Sequence, residues 1–143
     1  METMQIRNRT FQADVQQVFR KAPFIHELGV RLKEIQPGVC WADLVIQPNH
    51  LQHLHRVHGG VISSLAGHCA LGAAMSLAGA GETLVTPEFT FRMLRPVQAE
   101  CITCKAEVIK PGAVLIFTEA YVYDGTNEDE KLIARGSFMF SRA

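Results

Sequence analysis

Residues 59–79 read GGVISSLAGHCALGAAMSLAG, and this segment decides the fold. It is apolar or small on every side of a helical turn, and a helix without a polar face has to be buried all round. Alanine is its commonest apolar residue, and His68 and several serines interrupt the apolar residues, which argues against a membrane span. We therefore predict a long buried core helix over residues 60–78.

Length, composition and charge limit the classes of protein to which the chain can belong. It has 143 residues, of which 48% are hydrophobic and 20% are charged, and this is enough for one domain with a single core. The 14 basic and 14 acidic residues leave a formal net charge of zero, which disfavours a nucleic-acid partner. We expect one domain over residues 1–143, in which residues 1–24 form an N-terminal helix and its lead-in.

The N-terminal residues indicate where in the cell the protein is expected, and the cysteines indicate whether a metal site is expected. Residues 1–11 contain no apolar segment of the kind found in a secretory signal, so we expect a cytoplasmic protein with no membrane partner. The four cysteines are then expected to be reduced structural thiols. Cys101 and Cys104 form a CxxC motif, but in a strand these two side chains point to opposite faces. We therefore predict neither a metal site nor a cofactor.

Strand-like segments lie on both sides of the core helix. Upstream, residues 12–21 have helical spacing that stops at Pro23, and residues 29–35 and 40–46 alternate on either side of a Pro-Gly turn. Downstream there are four strand-like runs with short connections that suit antiparallel neighbours: residues 84–94, 101–109, 113–123 and 131–140. This order predicts an α+β hotdog fold, in which an antiparallel six-stranded sheet is wrapped around a long central helix.

The loop before the core helix is rich in histidine. Residues 48–60 read PNHLQHLHRVHGG, and the last three of its four histidines have a spacing similar to the HxHxDH motif of metallo-β-lactamase-like hydrolases. Val57 occupies the position of the aspartate in that motif, and only His68 follows downstream. We favour a polar loop without metal, and a metal-dependent hydrolase remains an outlying alternative.

His58, Gly59 and Gly60 stand at the mouth of the core helix. Two glycines leave the backbone there unshielded by side chains, so free N–H groups and the positive end of the helix dipole can face a substrate oxygen. Donors placed in this way polarise a carbonyl and stabilise the charge that develops when it is attacked. The motif therefore predicts an oxyanion hole.

Two segments carry a resemblance to a known family. Residues 51–74, which contain HGGVISSLAGHCALGAA, and residues 84–96, LVTPEFTFRMLRP, resemble the hotdog-fold acyl-CoA thioesterases of the phenylacetate-pathway (PaaI-like) family. In element order the resemblance extends from about residue 29 to residue 140. It implies hydrolysis of acyl-CoA thioesters without a metal, at active sites on the interface of a homodimer that often pairs into a homotetramer.

The resemblance also assigns roles to residues. Gly59 matches the glycine whose backbone N–H polarises the thioester carbonyl, and His58 matches the histidine that lines the same site. Gln52 falls where relatives carry an Asn or Gln that orients the nucleophile or a water molecule. The catalytic Asp or Glu of the family falls on Gly67, which has no side chain that could act as a nucleophile or base.

Two neighbours of Gly67 are candidates for the missing chemistry. His68 is the nearest titratable residue and can activate water near neutral pH. Ser64 lies four residues earlier on the same helix face, which allows a Ser64–His68 pair. The competing interpretation is structural, with His68 hydrogen-bonded in the core and Ser64 bonded to a carbonyl of its own helix.

Substrate binding and the alternative function follow from the same positions. We expect Gly60 and Ser64 to line the acyl pocket, and Arg92 and Arg95 to bind the phosphates of CoA. Without a carboxylate at Gly67, the alternative is a non-catalytic protein that binds acyl-CoA or fatty-acyl groups. A hydratase is disfavoured because residues 47–57 contain no acid.

Overall fold

The computed structural model describes residues 4–143, and residues 1–3 of the predicted lead-in lie outside the described residues. A 3-10 turn, Pro48–His50, lies in the loop before the third helix. The helices and strands of the described residues, in chain order, are α1 (Phe11–Lys21), α2 (Pro23–Leu28), β1 (Arg31–Gln36), β2 (Val39–Val45), α3 (Gly59–Met75), β3 (Leu84–Met93), β4 (Cys101–Pro111), β5 (Leu115–Asp124) and β6 (Lys131–Arg142).

The six strands form one antiparallel sheet in the order β1-β2-β4-β5-β6-β3. Its concave face covers α3, and the alternation of inward and outward residues along each strand supplies that face. The fully buried inward residues are small or branched: Cys40, Ala42, Leu44, Ile102, Cys104, Ala106, Ile116, Ala120, Val122 and Ala134. The predicted hotdog fold is confirmed.

The core helix α3 is buried because its composition is apolar all round. Its fully buried residues are mostly alanine, which lets the sheet approach the helix closely. The helix was predicted to continue to residue 78 but ends at Met75. The hydroxyl of Ser76 donates to the Ala73 carbonyl at 2.7 Å and accepts the N–H of Gly38 at 2.8 Å, so a buried serine ties the end of α3 to the β1–β2 turn.

No helix within residues 4–143 is long and apolar enough to cross a membrane.

The predicted N-terminal helix ends at Lys21, before Pro23, as expected, but this proline begins a second helix, α2, that was not predicted. A proline at the first helical position costs no hydrogen bond, since the N–H there has no partner within the helix. Helix α2 ends at Leu28, and the C-cap residue Gly29 has a φ of 86° and donates its N–H to the carbonyls of Ile25 and His26. Through α2 the chain brings Phe24 and Ile25 to the side of α3.

The short connection over residues 94–100 was predicted to join antiparallel neighbours, and this is wrong. The strand β3 pairs with β6, whereas β4 pairs with β2 and β5. Aromatic packing accounts for the difference, because Phe89 stacks on Phe138 at 5.3 Å between ring centroids and Phe91 lies at 6.3 Å from the same ring. As a result β3 is an edge strand beside α3.

The cysteines are free thiols within the described residues. Cys104 is fully buried and Cys101 is half-buried, in keeping with their opposite directions on β4. The Cys69 thiol lies 3.2 Å from the Cys40 carbonyl oxygen and 3.6 Å from that of Cys104. Burial raises the pKa of Cys69 well above its ordinary value, so this thiol stays protonated and unreactive.

Candidate functional site

The N-terminus of α3 presents one free backbone donor. The Nδ1 atom of His58 accepts the N–H of Gly60 at 2.8 Å, and the carbonyl of His58 accepts the N–H of Val61 at 3.0 Å. The N–H of Gly59 has no hydrogen-bond partner within residues 4–143. Of the two glycine donors expected in the oxyanion hole, Gly60 is therefore occupied by the His58 cap, and Gly59 is available at the positive end of the helix dipole.

The side chain of Met93, at the end of β3, lies against Gly59. A Cβ at residue 59 would lie 2.8 Å from both Sδ and Cε of Met93, closer than such atoms can approach without a shift. Met93 is itself 58% exposed. The free N–H of Gly59 thus lies beside a solvent-accessible thioether, a contact that the HGG motif gave no reason to expect.

Gln52 is held in its own loop. Its side-chain carbonyl accepts the N–H of Leu54, and its backbone N–H donates to the Arg56 carbonyl at 2.7 Å. His55, inside this turn, has a positive φ of 61°. The carboxamide oxygen of Gln52 is consequently used in the loop rather than directed at Gly59, and its NH₂ group is the part that stays available.

The histidines before α3 do not converge. His50 is buried, with Nδ1 accepting the N–H of Gln47 at 2.9 Å and Nε2 lying 2.9 Å from the Leu28 carbonyl. His58 caps α3, and His53 and His55 are exposed. Within the part of the chain that the structure describes, no three His, Cys, Asp or Glu side chains are grouped to hold a metal ion.

A groove of about 330 Å³ runs along one face of α3. Four elements line it: α3 through Ser63, Ser64, Gly67, His68 and Leu71; α2 through Phe24 and Ile25; β3 through Thr86 and Phe89; and β6 through Phe138. Most of this surface is apolar, with a few polar groups, as in typical small-molecule sites. The structure therefore brings together three of the predicted site residues, Ser64, Gly67 and His68.

Ser64 and His68 do not form a pair. The Ser64 hydroxyl donates to the Gly60 carbonyl at 2.6 Å, and that of Ser63 donates to the same carbonyl at 3.3 Å. Both serines therefore bond to their own helix, as small hydroxyl side chains often do. Of the two interpretations of Ser64 that the sequence left open, the structure has the hydrogen bond to its own helix, and Ser64 lines the groove without bonding to His68.

His68 connects the groove to α1. Its Nε2 atom lies 3.2 Å from the carbonyl oxygen of Val18, and its ring packs edge-on against Phe19 at 4.6 Å. A carbonyl can only accept, so Nε2 carries the proton and Nδ1 keeps the lone pair. Burial lowers the pKa of His68, although the Val18 hydrogen bond opposes this shift. The imidazole is therefore neutral at neutral pH and can act as a base.

Gly67 has the ring of Phe138 next to it. A Cβ at residue 67 would lie 3.3 Å from Cε1 of this buried ring. Among the described residues that line the groove there is no Asp or Glu, and Glu88 points to the other face of β3 from Phe89. An aromatic ring thus occupies the space next to residue 67, the position at which the resemblance implies a carboxylate.

Thr86 is a groove residue that the sequence interpretation missed. It precedes Pro87 in a stretch where the register between β3 and β6 shifts, between Val85 and Glu88. Such irregularities redirect side chains and accommodate proline. The Thr86 hydroxyl forms no hydrogen bond within residues 4–143 and lines the groove opposite α3. In the sequence, only the Thr86-Pro87 pair within a strand-like run could have indicated an irregular strand at this position.

The two predicted phosphate-binding arginines lie outside the groove. Arg92 is directly opposite Arg135 on the outer face of the sheet, where Arg135 also lies over the Tyr121 ring at 5.2 Å. Arg95 lines a separate hollow of about 120 Å³ with Asp124 and Lys131. Both are exposed, and they flank Met93 in the sequence.

A second, larger groove of about 570 Å³ lies between α1 and the edge strand β1. Its wall is mainly polar and includes Gln12, Gln16 and Arg20. It contains none of the predicted site residues, so size alone does not identify the functional site.

Comparisons with known proteins point in one direction. A family model described as the thioesterase superfamily matches residues 54–131. No curated protein is similar enough in sequence to match the chain. The fold is similar to that of a thioesterase family protein from Silicibacter pomeroyi, with 26% identity, a TM-score of 0.87 and coverage of 92% of this chain and 97% of that one.

Two further solved structures share the fold at lower identity. A thioesterase from Haemophilus influenzae has 20% identity and a TM-score of 0.83, covering 99% of this chain and 95% of that one. The PaaI protein from the phenylacetic acid degradation operon of Escherichia coli has 19% identity and a TM-score of 0.82, covering 96% of each chain.

Proposed function

Because this chain belongs to the thioesterase superfamily, we propose that it hydrolyses acyl-CoA thioesters at a site completed by a second copy of the chain. The family model spans more than half of the sequence, and it confirms the predicted resemblance to the hotdog thioesterases. Membership supports thioester hydrolysis in general. The observation that carries the proposal is the unpartnered N–H of Gly59 at the start of a buried helix.

Gly59 is proposed to bind the carbonyl oxygen of the thioester. Its N–H lies where the positive end of the α3 dipole is concentrated, so the interaction strengthens as the oxygen gains negative charge. His58 supports this geometry by holding Gly60 and the first turn of α3 in place. The helix start therefore favours the tetrahedral intermediate over the planar thioester.

His68 is proposed as the general base. Its Nδ1 takes a proton from a water molecule, and the hydroxide formed attacks the carbonyl carbon. The carbon–sulfur bond then breaks, and the departing thiolate recovers a proton from the imidazolium. The lowered pKa of His68 supports this role, because it keeps the imidazole unprotonated and able to accept a proton. The hydroxyl of Thr86 lies in the same groove and can hydrogen-bond to the water molecule.

The spacing along α3 supports a dimeric site. His68 follows Gly59 by nine residues, which corresponds to about 13.5 Å along the helix axis. A single hydrogen bond spans only about 3 Å, so one chain could use both residues on one carbonyl only if the hydrogen bonds and the attacking water lay almost in line, which favours a site in which Gly59 and His68 come from different chains. A homodimer in which Gly59 of one copy faces the groove of the other satisfies both roles, and a homotetramer would contain two such dimers.

CoA is the proposed thiol portion of the substrate. Arg92 and Arg95 are exposed on either side of Met93, close in the chain to the residue that contacts Gly59. Their guanidinium groups are suited to phosphate. The apolar groove would then hold the acyl group, with the nucleotide at the surface.

A second candidate function is binding of acyl-CoA without hydrolysis. The contact between Gly67 and Phe138 favours it, because the usual carboxylate is absent and a ring stands next to its position. In this case the groove and the Gly59 donor would serve affinity only.

Release of free thiol from a panel of acyl-CoAs separates the two functions. We expect turnover by chelator-treated protein that does not increase when zinc is added. Saturable binding of the same compounds without thiol release would instead establish the binding protein, and turnover that depends on zinc would contradict both.

A further inference from the structure

We propose that Met93 is a site of reversible oxidation, and that its sulfoxide closes the carbonyl-binding site by accepting the hydrogen bond of the Gly59 N–H. This inference rests on the proposed role of Gly59. It adds a modification site to the thioesterase and names hydroperoxides as the class of reagent that reaches it.

The first support is the position of the sulfur. The Sδ atom of Met93 lies 2.8 Å from where a Cβ of residue 59 would be. Because a Cβ is about 2.5 Å from its own backbone nitrogen, the sulfur is within about 5.3 Å of the Gly59 nitrogen. An oxygen bonded to the sulfur and turned toward Gly59 is about 1.5 Å nearer, so it lies at most about 3.8 Å from the nitrogen, and a small shift of the flexible side chain completes the hydrogen bond.

The second support is exposure combined with a fixed backbone. Met93 is 58% exposed, whereas the other methionines of the described residues, Met4, Met75 and Met139, are half-buried. The strand end that carries Met93 is held to β6, with Met93 opposite Ala134 and the N–H of Leu94 donating to the Ile133 carbonyl at 2.7 Å. In the single chain solvent therefore reaches the sulfur while the backbone keeps it beside Gly59, and in the proposed dimer a hydroperoxide reaches it by the same path that brings the thioester to Gly59.

The chemistry balances with a hydroperoxide as the co-reactant. The thioether sulfur attacks the peroxide, the O–O bond breaks, and one oxygen becomes bonded to sulfur. Sulfur is oxidised to the sulfoxide, and hydrogen peroxide is reduced to water. Methionine sulfoxide reductases reverse the change with electrons from thiols.

Oxidation changes the hydrogen-bonding character of the group that faces Gly59. A thioether is a weak acceptor and leaves the Gly59 N–H free for substrate. A sulfoxide is polar, and its oxygen is a much better acceptor. Since Gly59 N–H is without a partner within residues 4–143, the sulfoxide oxygen competes directly with the carbonyl of the thioester.

The first experiment treats the full chain with hydrogen peroxide and follows hydrolysis, with oxidation of Met93 located by mass spectrometry. We expect hydrolysis to fall about 100-fold as Met93 gains one oxygen, the size of effect seen when one oxyanion-hole donor is lost. Met93→Leu should keep its own untreated rate of hydrolysis after the peroxide treatment. The control variants Met139→Leu and Cys101→Ser should be inactivated by peroxide as the parent chain is. Methionine sulfoxide reductase should restore the rate, and dithiothreitol alone should not.

A second readout does not depend on activity. In a nitrogen–proton correlation spectrum, oxidation should move the Gly59 amide downfield and slow its exchange with water, and Met93→Leu should show neither change. Equal inactivation of Met93→Leu, or an oxidised Met93 with an unchanged Gly59 amide, would overturn the proposal. An untreated protein that hydrolyses no thioester would contradict the proposed function, while the amide measurement would still decide whether the sulfoxide binds Gly59.

Discussion

The ring of Phe138 stands against Gly67, with its Cε1 atom 3.3 Å from the position that a Cβ of residue 67 would take. Phe138 is 3% exposed and stacks on Phe89 across the β3–β6 pair, so the ring cannot move away freely. Residue 67 is therefore coupled to the packing of β6, and restoring a carboxylate there affects the core as well as the chemistry.

The coupling predicts that Gly67→Asp alone lowers the free energy of unfolding by about 1–3 kcal/mol, the usual cost of overpacking. Phe138→Leu should relieve part of this cost in the double variant, which should also hydrolyse thioesters faster than Phe138→Leu alone. Urea unfolding and kcat/KM of the four chains of this cycle provide the measurement. Strict additivity of the two stability changes would show that the residues do not interact.

The Gly59 donor can be removed without breaking α3. Proline is accommodated at the first helical position, and His58, with φ of −62° and ψ of 135°, already has the extended conformation that a residue before proline prefers. We expect Gly59→Pro to lower kcat about 10² to 10³-fold while helical content by circular dichroism is unchanged. Gly59→Ala is the matched control, because it adds a Cβ against Met93 but retains the N–H. Equal losses in both variants would mean that crowding, not the donor, matters.

The pKa of His68 predicts the acid limb of the pH–rate profile. Burial lowers this pKa from the ordinary value of 6.5, so kcat/KM should fall only as the pH drops below 6.5 and the imidazole becomes protonated. His68→Gln should have little activity at any pH. A parent profile with its acid limb above 6.5, or an active His68→Gln, would remove His68 as the base.

The same shift predicts a dependence of stability on pH. Below pH 6.5 the unfolded chain binds a proton at His68 more readily than the folded chain does, so the free energy of unfolding should decrease as the pH falls through this range. His68→Gln should show a smaller decrease, measured by urea unfolding at several pH values. Parallel curves for both chains would indicate that His68 titrates alike in the folded and unfolded states.

The arginines beside Met93 test whether CoA is the thiol portion. Arg95→Gln and Arg92→Gln should each raise KM for an acyl-CoA several-fold, because one charged contact to phosphate is lost. Neither should change KM for the matching N-acetylcysteamine thioester, which has no nucleotide. Arg20→Gln, in the groove between α1 and β1, is the control. An equal rise in KM for both substrates would show that these arginines have a structural role and do not bind the nucleotide.

Most of the fold could be predicted from the sequence because local hydrophobic patterns indicate which residues are buried. The uniformly apolar segment that became α3 and the alternation in the strands each follow from one element facing one core. The features that the sequence did not predict depend on contacts between residues far apart in the chain. Whether Pro23 stops or starts a helix depends on where the following residues pack, and the place of β3 beside β6 depends on Phe89 meeting Phe138, some fifty residues away in the chain.

The site was predicted less completely for the same reason. The His58–Gly60 segment is local, and it predicted free N–H donors at the start of α3. Of the two glycine donors, the N–H of Gly59 is free in the structure and that of Gly60 is bonded to His58. Met93 and Phe138 come to the site through sheet pairing, which leaves no periodic signal near Gly59 or Gly67. The assigned role of Gln52 was not supported by the direction of its side-chain oxygen, because a turn inside its own loop uses that atom.

The hydrogen bond from His68 to Val18 gives α1 an influence on acid–base chemistry that its position would not suggest. The Val18 carbonyl is one of the last four of α1, which have no acceptor role inside the helix, and it decides which ring nitrogen of His68 is protonated. The helix lies outside residues 54–131, which the family model matches, and contributes no side chain to the groove. A helix outside the groove thus selects the tautomer of the proposed base.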